Sequence, residues 1–381
     1  MSLLPPLPAS TWDFSINPSP AGSGEPGLVV SRPDFPGLFI LNSSARFIWA
    51  GLHLGGPQNF LAERFAENFG IPFSQASSDV ASTLDAWSQN LLAPSRATQS
   101  VAFPPLPSQS SFSFSCGCDV NFKHFQLLAS DADFIHEIQP RLAHLAASSS
   151  TPDFTFHVFR QQDLFWVFRG EASLCAEPLV STARSILLEE IARLAYDADW
   201  LAILHAAACS NGRQCVILPA PTNSGKSTLT AALMHSGLQI LSDDSAPLDR
   251  RSRQIFPLPF ALMLRSGSWP LLDPFFPELS TLPIHTRFGD PVRVLPPPAI
   301  HPQPAPAKCH CFVQFEPGAP VRLQPLSPFD SLCALQKSGF WVPHTRDSIA
   351  AFLAWYQSLP AYQLTYSELS QAVPLVHSLL A

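Results

Sequence analysis

Charged residues are scarce in this 381-residue chain, where they make up 13% of the sequence, about half of the usual share in globular proteins. The formal net charge is −7, and no cluster of lysine and arginine stands out. Binding to nucleic acid or to an anionic membrane surface depends on such clusters. We therefore expect neither nucleic acid nor a membrane among the partners of this protein.

Glycine is also scarce relative to proline, with 17 glycines against 40 prolines. Because proline fixes the backbone φ angle, this ratio favours rigid, extended loops over flexible tethers. No apolar run is long enough for a transmembrane helix, and the first ten residues lack the basic and apolar regions of a signal peptide. We expect a soluble, cytoplasmic protein with two or three domains.

The eight cysteines do not have the spacing of a small disulfide framework. Two pairs are separated by a single residue: Cys116 with Cys118, and Cys309 with Cys311. Residues i and i+2 of a strand share a face, so two adjacent strands could build a four-thiolate zinc site. Structural zinc sites usually have wider cysteine spacing, and the favoured interpretation is that these cysteines fill buried strands as small apolar residues.

Stretches rich in proline and serine divide the chain into blocks. Residues 12–94 contain two short strands, over 28–31 and 38–41, followed by three helices, which predicts an α+β, winged-helix-like domain. Asn42 is the expected cap of the first helix. Residues 95–111 form the expected linker. Residues 112–199 mix strands with helices, including an amphipathic helix over 181–197. Residues 200–381 predict an α/β domain that ends in two helices, over 345–359 and 368–380.

A short apolar strand over 215–218 is followed by a loop and then directly by a helix, which is the order that a phosphate-binding loop requires. Alanine stands at the first position, where the strict pattern has glycine. The nucleotide-binding candidates are Ala220, Pro221, Thr222, Asn223, Ser224, Gly225, Lys226, Ser227 and Thr228. The alternative, a serine- and glycine-rich turn that binds nothing, is disfavoured because the motif lies between a strand and a helix.

The chemistry of phosphate binding explains the residue types in this loop. Backbone N–H groups and the positive end of the helix dipole attract a phosphate, and Gly225 lets the backbone approach it closely. The Lys226 ammonium is expected to contact the β- and γ-phosphate oxygens, and the Ser227 hydroxyl is the expected Mg²⁺ ligand.

A second strand, LQIL (238–241), ends in the acidic residues Asp243 and Asp244. Such a pair can hold Mg²⁺ or orient a nucleophile, although an apolar strand ending in aspartate is also a common start of a loop. Asp243 follows Lys226 by only 17 residues, which excludes transporter-type and helicase-type ATPases. His205 precedes the loop strand, and an isolated histidine among apolar residues is more often a core residue than a catalyst.

The segments LHAAAC (204–209), LPAPTNSGKSTLTAAL (218–233) and GLQILSDDSAPLD (237–249) together resemble the HPr kinase/phosphorylase superfamily. The similarity is greatest to the kinase-related proteins of bacterial peptide-modification gene clusters. FVQFEPGAPVRLQPL (312–326) also fits that group. The resemblance covers residues 112–381 and implies an α/β P-loop domain that uses ATP and Mg²⁺.

The resemblance also implies roles for individual residues. Asp243 and Asp244 would supply the general base and help to position Mg²⁺, with the assignment between them open. His205 matches the family histidine before the loop, and Lys226 would offset charge on the transferred phosphoryl group, together with an arginine such as Arg265 or Arg293. The alternative for each arginine, and the favoured one for each taken singly, is a surface residue. Residues 247–298 lack the family's glycine-rich acidic segment with its metal-binding glutamate, which argues against phosphorylase activity and against the phosphocarrier substrate.

The N-terminal block resembles the PqqD-like fold, a small winged-helix domain that binds leader peptides of ribosomally made natural products. LFILNSSARFIWAGL (38–52), the helix over 60–69 and DVASTLDAWSQNLL (79–92) carry this resemblance. It implies that a peptide adds as a strand to the edge formed by residues 28–41. A generic winged-helix packing domain is the alternative.

These features together predict an ATP-dependent serine/threonine kinase that acts on a ribosomally made peptide or a small protein. One alternative is a peptide chaperone or regulator that nucleotide switches without phosphate transfer, and another is a kinase that acts on a small metabolite. HPr kinases form oligomers, so the resemblance also allows a homo-oligomer.

Overall fold

A computed structural model describes residues 3–8, 10–16, 27–94, 103–147, 151–287, 289–298 and 302–381. The chain forms two compact units. Unit 1 comprises Met1–Val101, Leu326–Cys333 and Val342–Ser358, and unit 2 comprises Ala102–Pro325, Ala334–Trp341 and Leu359–Ala381. Residues 95–102 of the predicted linker lie outside the described residues, and its remainder contains one 3₁₀ turn, Gln109–Ser111.

Unit 1 begins with a three-stranded antiparallel sheet in the order β1-β2-β3, followed by three helices. These elements are β1 (Trp12–Ile16), β2 (Gly27–Arg32), β3 (Phe35–Leu41), α1 (Ser43–Leu54), α2 (Gln58–Phe69) and α3 (Phe73–Ser88). The strands expected at 28–31 and 38–41 lie within β2 and β3. Asn42 caps α1, as its pattern indicated, because its side chain accepts a hydrogen bond from the Ala45 N–H at 2.9 Å.

The apolar faces of the three helices form the core of unit 1 with β2 and β3. Its largest buried members include Trp49, Phe65 and Trp87. Arg32 is 1% exposed and donates hydrogen bonds to the Leu91 carbonyl at 3.1 Å and to Asp34. The buried guanidinium of Arg32 therefore links strand β2 by hydrogen bonds to the chain that follows α3.

Unit 2 starts with a five-stranded sheet in the order β4-β5-β6-β7-β8, in which only β5 and β6 are parallel neighbours. Two helices supply apolar side chains to its core. The elements are β4 (Phe114–Val120), β5 (Lys123–Ala129), α4 (Ala132–Leu142), β6 (Phe154–Gln161), β7 (Leu164–Arg169), β8 (Ala172–Glu177) and α5 (Val180–Ala195). The amphipathic helix predicted over 181–197 is α5.

The rest of unit 2 is built on a ten-stranded mixed sheet and a small antiparallel sheet in the order β15-β17-β16. Up to the small sheet, the elements are β9 (Trp200–Leu204), β10 (Ala206–Ser210), β11 (Cys215–Pro219), α6 (Lys226–His235), β12 (Gln239–Ser242), β13 (Ala246–Asp249), β14 (Gln254–Ile255), β15 (Leu262–Arg265), α7 (Trp269–Leu272), β16 (Ile284–Arg287) and β17 (Asp290–Leu295).

The chain then returns to the large sheet, while helix α9 and the first six residues of α8 belong to unit 1. These elements are β18 (Ala305–Phe315), β19 (Arg322–Leu326), α8 (Pro328–Ser338), β20 (Phe340–Trp341), α9 (Arg346–Gln357), β21 (Ala361–Tyr366) and α10 (Leu369–Leu379). Strand β18 runs parallel to both β11 and β21. The helices predicted over 345–359 and 368–380 are α9 and α10, and the chain as a whole has a mixed α/β architecture with several sheets.

The two cysteine pairs lie in different sheets. Cys116 and Cys118 are on β4 of the five-stranded sheet, whereas Cys309 and Cys311 are on β18 of the large one. They therefore do not form one four-thiolate zinc site. Among the described residues, no group of three or more His, Cys, Asp or Glu side chains has the arrangement of a metal site.

No helix within the described part of the chain has the length and apolar character needed to cross a membrane.

Candidate functional site

The loop between β11 and α6 is tightly built around Gly225. This residue has φ +83°, and a Cβ at its position would lie 2.6 Å from the Tyr366 hydroxyl oxygen and 2.8 Å from the Phe315 Cβ. The Tyr366 hydroxyl donates a hydrogen bond to the Gly225 carbonyl at 3.1 Å. Only glycine satisfies both the backbone angle and the lack of space. The first residue of the ten-residue helix α6 is Lys226, so the positive end of its dipole faces the loop.

The acidic residues at the end of β12 meet the start of α6. Lys226 is 7% exposed, and its ammonium lies 3.6 Å from Asp243 Oδ1 and 3.5 Å from Asp244 Oδ1 and donates a hydrogen bond to the Asp243 carbonyl. The Ser227 hydroxyl donates to Asp243 Oδ2 at 2.8 Å. Four of the residues predicted from the sequence are therefore within contact distance of one another. We call Asp243 and Asp244 the acid pair.

His205 lies in the one-residue gap between β9 and β10, and its N–H donates to the Gly339 carbonyl at 2.9 Å. Burial lowers the pKa of His205, and the charge of Lys226 lowers it further, against the opposing effect of the acid pair and a hydrogen bond to the Asp244 backbone. The imidazole is therefore neutral at pH 7 and adjoins the acid pair.

Three arginines from other parts of unit 2 surround the acid pair, and the sequence did not indicate them. Arg141 on α4 lies 2.9 Å from Asp244 Oδ2, and Arg287 on β16 lies 3.7 Å from the same oxygen. Arg184 on α5 pairs with Glu137 on α4 at 2.5 Å. Burial alone would raise the pKa of Asp244, but Arg141, Lys226 and Arg287 outweigh it and hold this pKa well below its usual value.

The cluster carries many opposite charges. Lys226 and the three arginines contribute four positive charges, the acid pair and Glu137 contribute three negative ones, and Glu189, which interacts with Arg184, adds a fourth when it ionises. The four cationic side chains make the cluster suited to contact an anion. Phosphate groups are strong partners of arginine and lysine.

Sequence patterns contained a weak signal for two of the missed residues. Arg184 lies on the apolar face of α5 beside the buried Leu187 and Leu188, and Glu137 and Arg141 lie one helical turn apart on α4. A charged residue on the buried face of a helix needs a partner. No such signal exists for Arg287, because its strand lies in the proline-rich segment 247–298.

The two arginines named from the sequence take different positions. Arg265 donates a hydrogen bond to the Asn223 side chain in the loop at 2.8 Å and lies 3.0 Å from Asp290. Arg293 stacks on Trp269, with 4.2 Å between its guanidinium carbon and the ring centre. Arg265 therefore contacts the loop, whereas Arg293 contacts the ring of Trp269.

Two cavities adjoin the cluster. The smaller one, of about 30 Å³, is lined by the acid pair, Arg141, Arg184 and Glu189, among others. The larger one, of about 390 Å³, lies between α4 and the β16–β17 hairpin. Ala261 lines both cavities, so the two cavities share a wall.

Glu189 gives the site a measurable dependence of stability on pH. Burial raises the pKa of Glu189 from 4.5 to about 7, partly opposed by a hydrogen bond from Ser245 at 2.9 Å and by Arg184. A carboxyl whose pKa is raised by folding stabilises the folded state below pH 4.5, and this contribution is lost as the pH rises towards 7. We expect the free energy of unfolding to fall by at most about 3 kcal/mol over this window.

Urea unfolding between pH 4.5 and 8 tests this expectation. Glu189→Gln should remove this part of the pH dependence. The control is Glu190→Gln, which changes the neighbouring carboxylate paired with Arg169 and Arg193 and should keep the wild-type slope. An equal slope in the Glu189→Gln protein would contradict the assignment to Glu189.

Comparison with known proteins gives little further information. No family model matches the chain, and no curated protein matches it. Among solved structures, the chain is similar to the Hpr(Ser) kinase/phosphatase from Coxiella burnetii, with 12% sequence identity and a TM-score of 0.23 over 47% of this chain and 93% of that one. A TM-score of this size does not establish a shared fold or activity. What is shown is a mixed α/β protein with a buried cluster of opposite charges at a strand–loop–helix junction.

Proposed function

We propose that unit 2 is an ATP-dependent kinase that transfers the γ-phosphoryl group to a hydroxyl group. The observation that carries this proposal is the convergence of Lys226, Ser227 and the acid pair at the start of α6. A loop that ends at a helix N-terminus attracts phosphate, and the ammonium of Lys226 at the start of this helix is a strong partner for phosphate oxygens.

In this proposal each side chain has a stated role. Lys226 leaves the acid pair and contacts the β- and γ-phosphate oxygens. Asp244, held by Arg141 and Arg287, orients the acceptor hydroxyl and receives its proton, and neutral His205 lies beside it. Lys226 is one of the cations that lower the pKa of Asp244, so its move to the phosphates would raise this pKa and make Asp244 a better proton acceptor.

Ser227 and Asp243 fit a Mg²⁺ ion. Mg²⁺ prefers oxygen ligands, and these two residues present adjacent oxygens, with a hydroxyl–carboxylate distance of 2.8 Å. Asp243 Oδ1 is buried and makes no hydrogen bond within the described chain, so it has a lone pair for a cation. Mg²⁺ would supply charge neutralisation to the phosphates, and the chain's own contribution is to hold these oxygens in place.

We further propose that unit 1 is a PqqD-like domain that binds the leader of a ribosomally made peptide. Within the described residues of unit 1, β3 pairs only with β2 and forms an edge of the sheet. An edge strand can accept an extended peptide through backbone hydrogen bonds. Binding the leader on the same chain as the kinase would raise the local concentration of a weak acceptor.

The first test uses candidate precursor peptides from the same gene neighbourhood, incubated with the full chain and MgATP. We expect a mass gain of one phosphate on a serine or threonine. Lys226→Ala should abolish this gain, because it removes the side chain that contacts the phosphates. Mass spectrometry measures the product, and calorimetry measures nucleotide binding.

The outcomes separate the possible functions. Nucleotide binding without phosphate transfer would indicate a nucleotide-switched peptide chaperone or regulator. The absence of nucleotide binding by the wild-type chain would contradict the phosphate-loop assignment itself.

A further inference from the structure

The larger cavity, of about 390 Å³, lies next to the acid pair and is not used by the nucleotide site described above. Helix α4 contributes His136 and Pro140 to its wall, the 3₁₀ turn after it (Ala143–Leu145) contributes His144, and β16 contributes His285. This volume is within the range of sites that bind small molecules or peptide side chains. The cavity therefore has the size of a binding site.

Two elements of the cavity wall also reach the acid pair. Arg141, the neighbour of Pro140 on α4, and Arg287, two residues after His285 on β16, both contact Asp244. Because residues i and i+2 of a strand share a face, His285 and Arg287 lie on the same side of β16. A group bound in the cavity is thus next to the side chains that surround Asp244.

The lining of the cavity indicates the chemistry of its ligand. Among the described residues that line it there is no carboxylate, lysine or arginine; the polar side chains are Gln139 and three imidazoles, and most of the others are proline or alanine. Imidazole and amide groups can donate and accept hydrogen bonds. With Arg141 and Arg287 next to it, the cavity favours a hydroxyl-bearing ligand that is flanked by negative charge.

Strand β16 is an edge strand beside this cavity. In the small sheet it pairs with β17 and with no other described strand. Thr286 lies opposite Pro291, which has no N–H to donate. Thr286 and Pro291 therefore form a pair that is not hydrogen-bonded, and such pairs alternate with hydrogen-bonded ones along an antiparallel strand. We accordingly assign the backbone N–H and C=O groups of Thr286, and of Ile284 two residues before it, to the free edge of β16. Ile284 is 59% exposed and offers an apolar contact there.

We propose that the phosphate-accepting segment of the substrate is an extended peptide that pairs with the free edge of β16 and places its serine or threonine in the α4–β16 cavity, facing Asp244. An acidic residue beside the acceptor is attracted by Arg141 and Arg287. This inference rests on the kinase function proposed above, and it assigns to unit 2 an acceptor site separate from the leader site proposed for unit 1.

Two variants test the site in the full chain. Val294→Trp fills the cavity from β17, where the half-buried Val294 lines it. Thr286→Pro removes an N–H from the free edge of β16. We expect each to raise the KM for the acceptor peptide by at least about tenfold, a typical effect of a misfit in a binding pocket, and to leave MgADP affinity unchanged. The control is Leu271→Trp, which enlarges an exposed apolar residue on α7.

The acceptor is the peptide identified by mass spectrometry, or otherwise a set of synthetic serine peptides with acidic, neutral or basic flanks. Acidic flanks should give the lowest KM. Unchanged KM values in both variants would overturn the inference while the kinase function stands. A loss limited to Val294→Trp would overturn the strand pairing and indicate a small-molecule acceptor. If the wild-type chain phosphorylates nothing, the kinase proposal fails, and the acceptor site fails with it.

Discussion

Asp244→Asn is expected to slow phosphate transfer by about 10²–10⁴-fold, the usual contribution of a group that handles a proton in the transition state. The amide can still accept a hydrogen bond from Arg141, but it cannot take a proton. It also removes the carboxylate that Arg141 contacts at 2.9 Å and Arg287 at 3.7 Å. Removing one partner of a buried pair costs up to about 3–5 kcal/mol, so the free energy of unfolding should also fall.

Calorimetry with MgADP separates this effect from a general loss of structure. We expect Asp244→Asn to bind MgADP within about tenfold of the wild type, because Lys226, Ser227 and Asp243 remain. Asp243→Asn should weaken Mg²⁺-dependent binding instead, since it replaces the carboxylate next to the Ser227 hydroxyl with an uncharged amide. Asp199→Asn, which removes a half-exposed carboxylate paired with Arg250, is the control. A nucleotide switch would retain peptide affinity in all three variants, and unchanged turnover in Asp244→Asn would contradict its assignment.

The grouping of Lys226 and Ser227 with the acid pair could be predicted because these residues are close together in the sequence. Strand, loop, helix and second strand follow one another from Cys215 to Ser242, and each has a local pattern. A buried strand reads as an apolar run, and the glycine before Lys226 marks the turn into the helix. The contact between Lys226 and Asp243 then follows from the short distance along the chain.

The arginines could not be predicted in the same way. Arg141 and Asp244 are 103 residues apart in the sequence, and their contact depends on the packing of α4, which local patterns do not determine. Arg287 lies on a strand of four residues within a proline-rich segment, where neither periodicity nor composition indicates a site. The sequence therefore indicated the residues that meet at the start of α6 and missed the surrounding arginines.

Unit 1 also contains two segments from the C-terminal part of the chain, and no local sequence pattern indicates that they belong to it. Residues Leu326–Cys333 and Val342–Ser358, far from the N-terminal block in sequence, belong to unit 1. Trp12 on β1 stacks against His344 with ring centres 5.5 Å apart, and the Ser31 hydroxyl lies 3.1 Å from His344 Nε2. The predicted helix over 345–359 was found, but its place in unit 1 follows from tertiary contacts.

Gly225→Ala is expected to reduce both stability and nucleotide binding, because two separate costs combine at this position. An alanine at φ +83° pays about 1–2 kcal/mol for the left-handed backbone. Its Cβ would also lie 2.6 Å from the Tyr366 hydroxyl oxygen and 2.8 Å from the Phe315 Cβ. Such overpacking typically costs about 1–3 kcal/mol more. The loop must move to relieve it, which would misalign the N–H groups proposed to bind phosphate.

Gly212→Ala separates the two costs. Gly212 lies in the turn between β10 and β11 at φ +88°, and a Cβ there would meet no atom within 4 Å. The Gly212→Ala protein should therefore lose only the stability that the left-handed backbone costs an alanine, and it should keep its affinity for MgATP. In the Gly225→Ala background, Tyr366→Phe removes the hydroxyl but leaves the Phe315 contact, so we expect a partial recovery of stability. Urea unfolding and calorimetry measure both quantities, and equal losses in the two alanine variants would show that the close approach of Tyr366 and Phe315 does not constrain the loop.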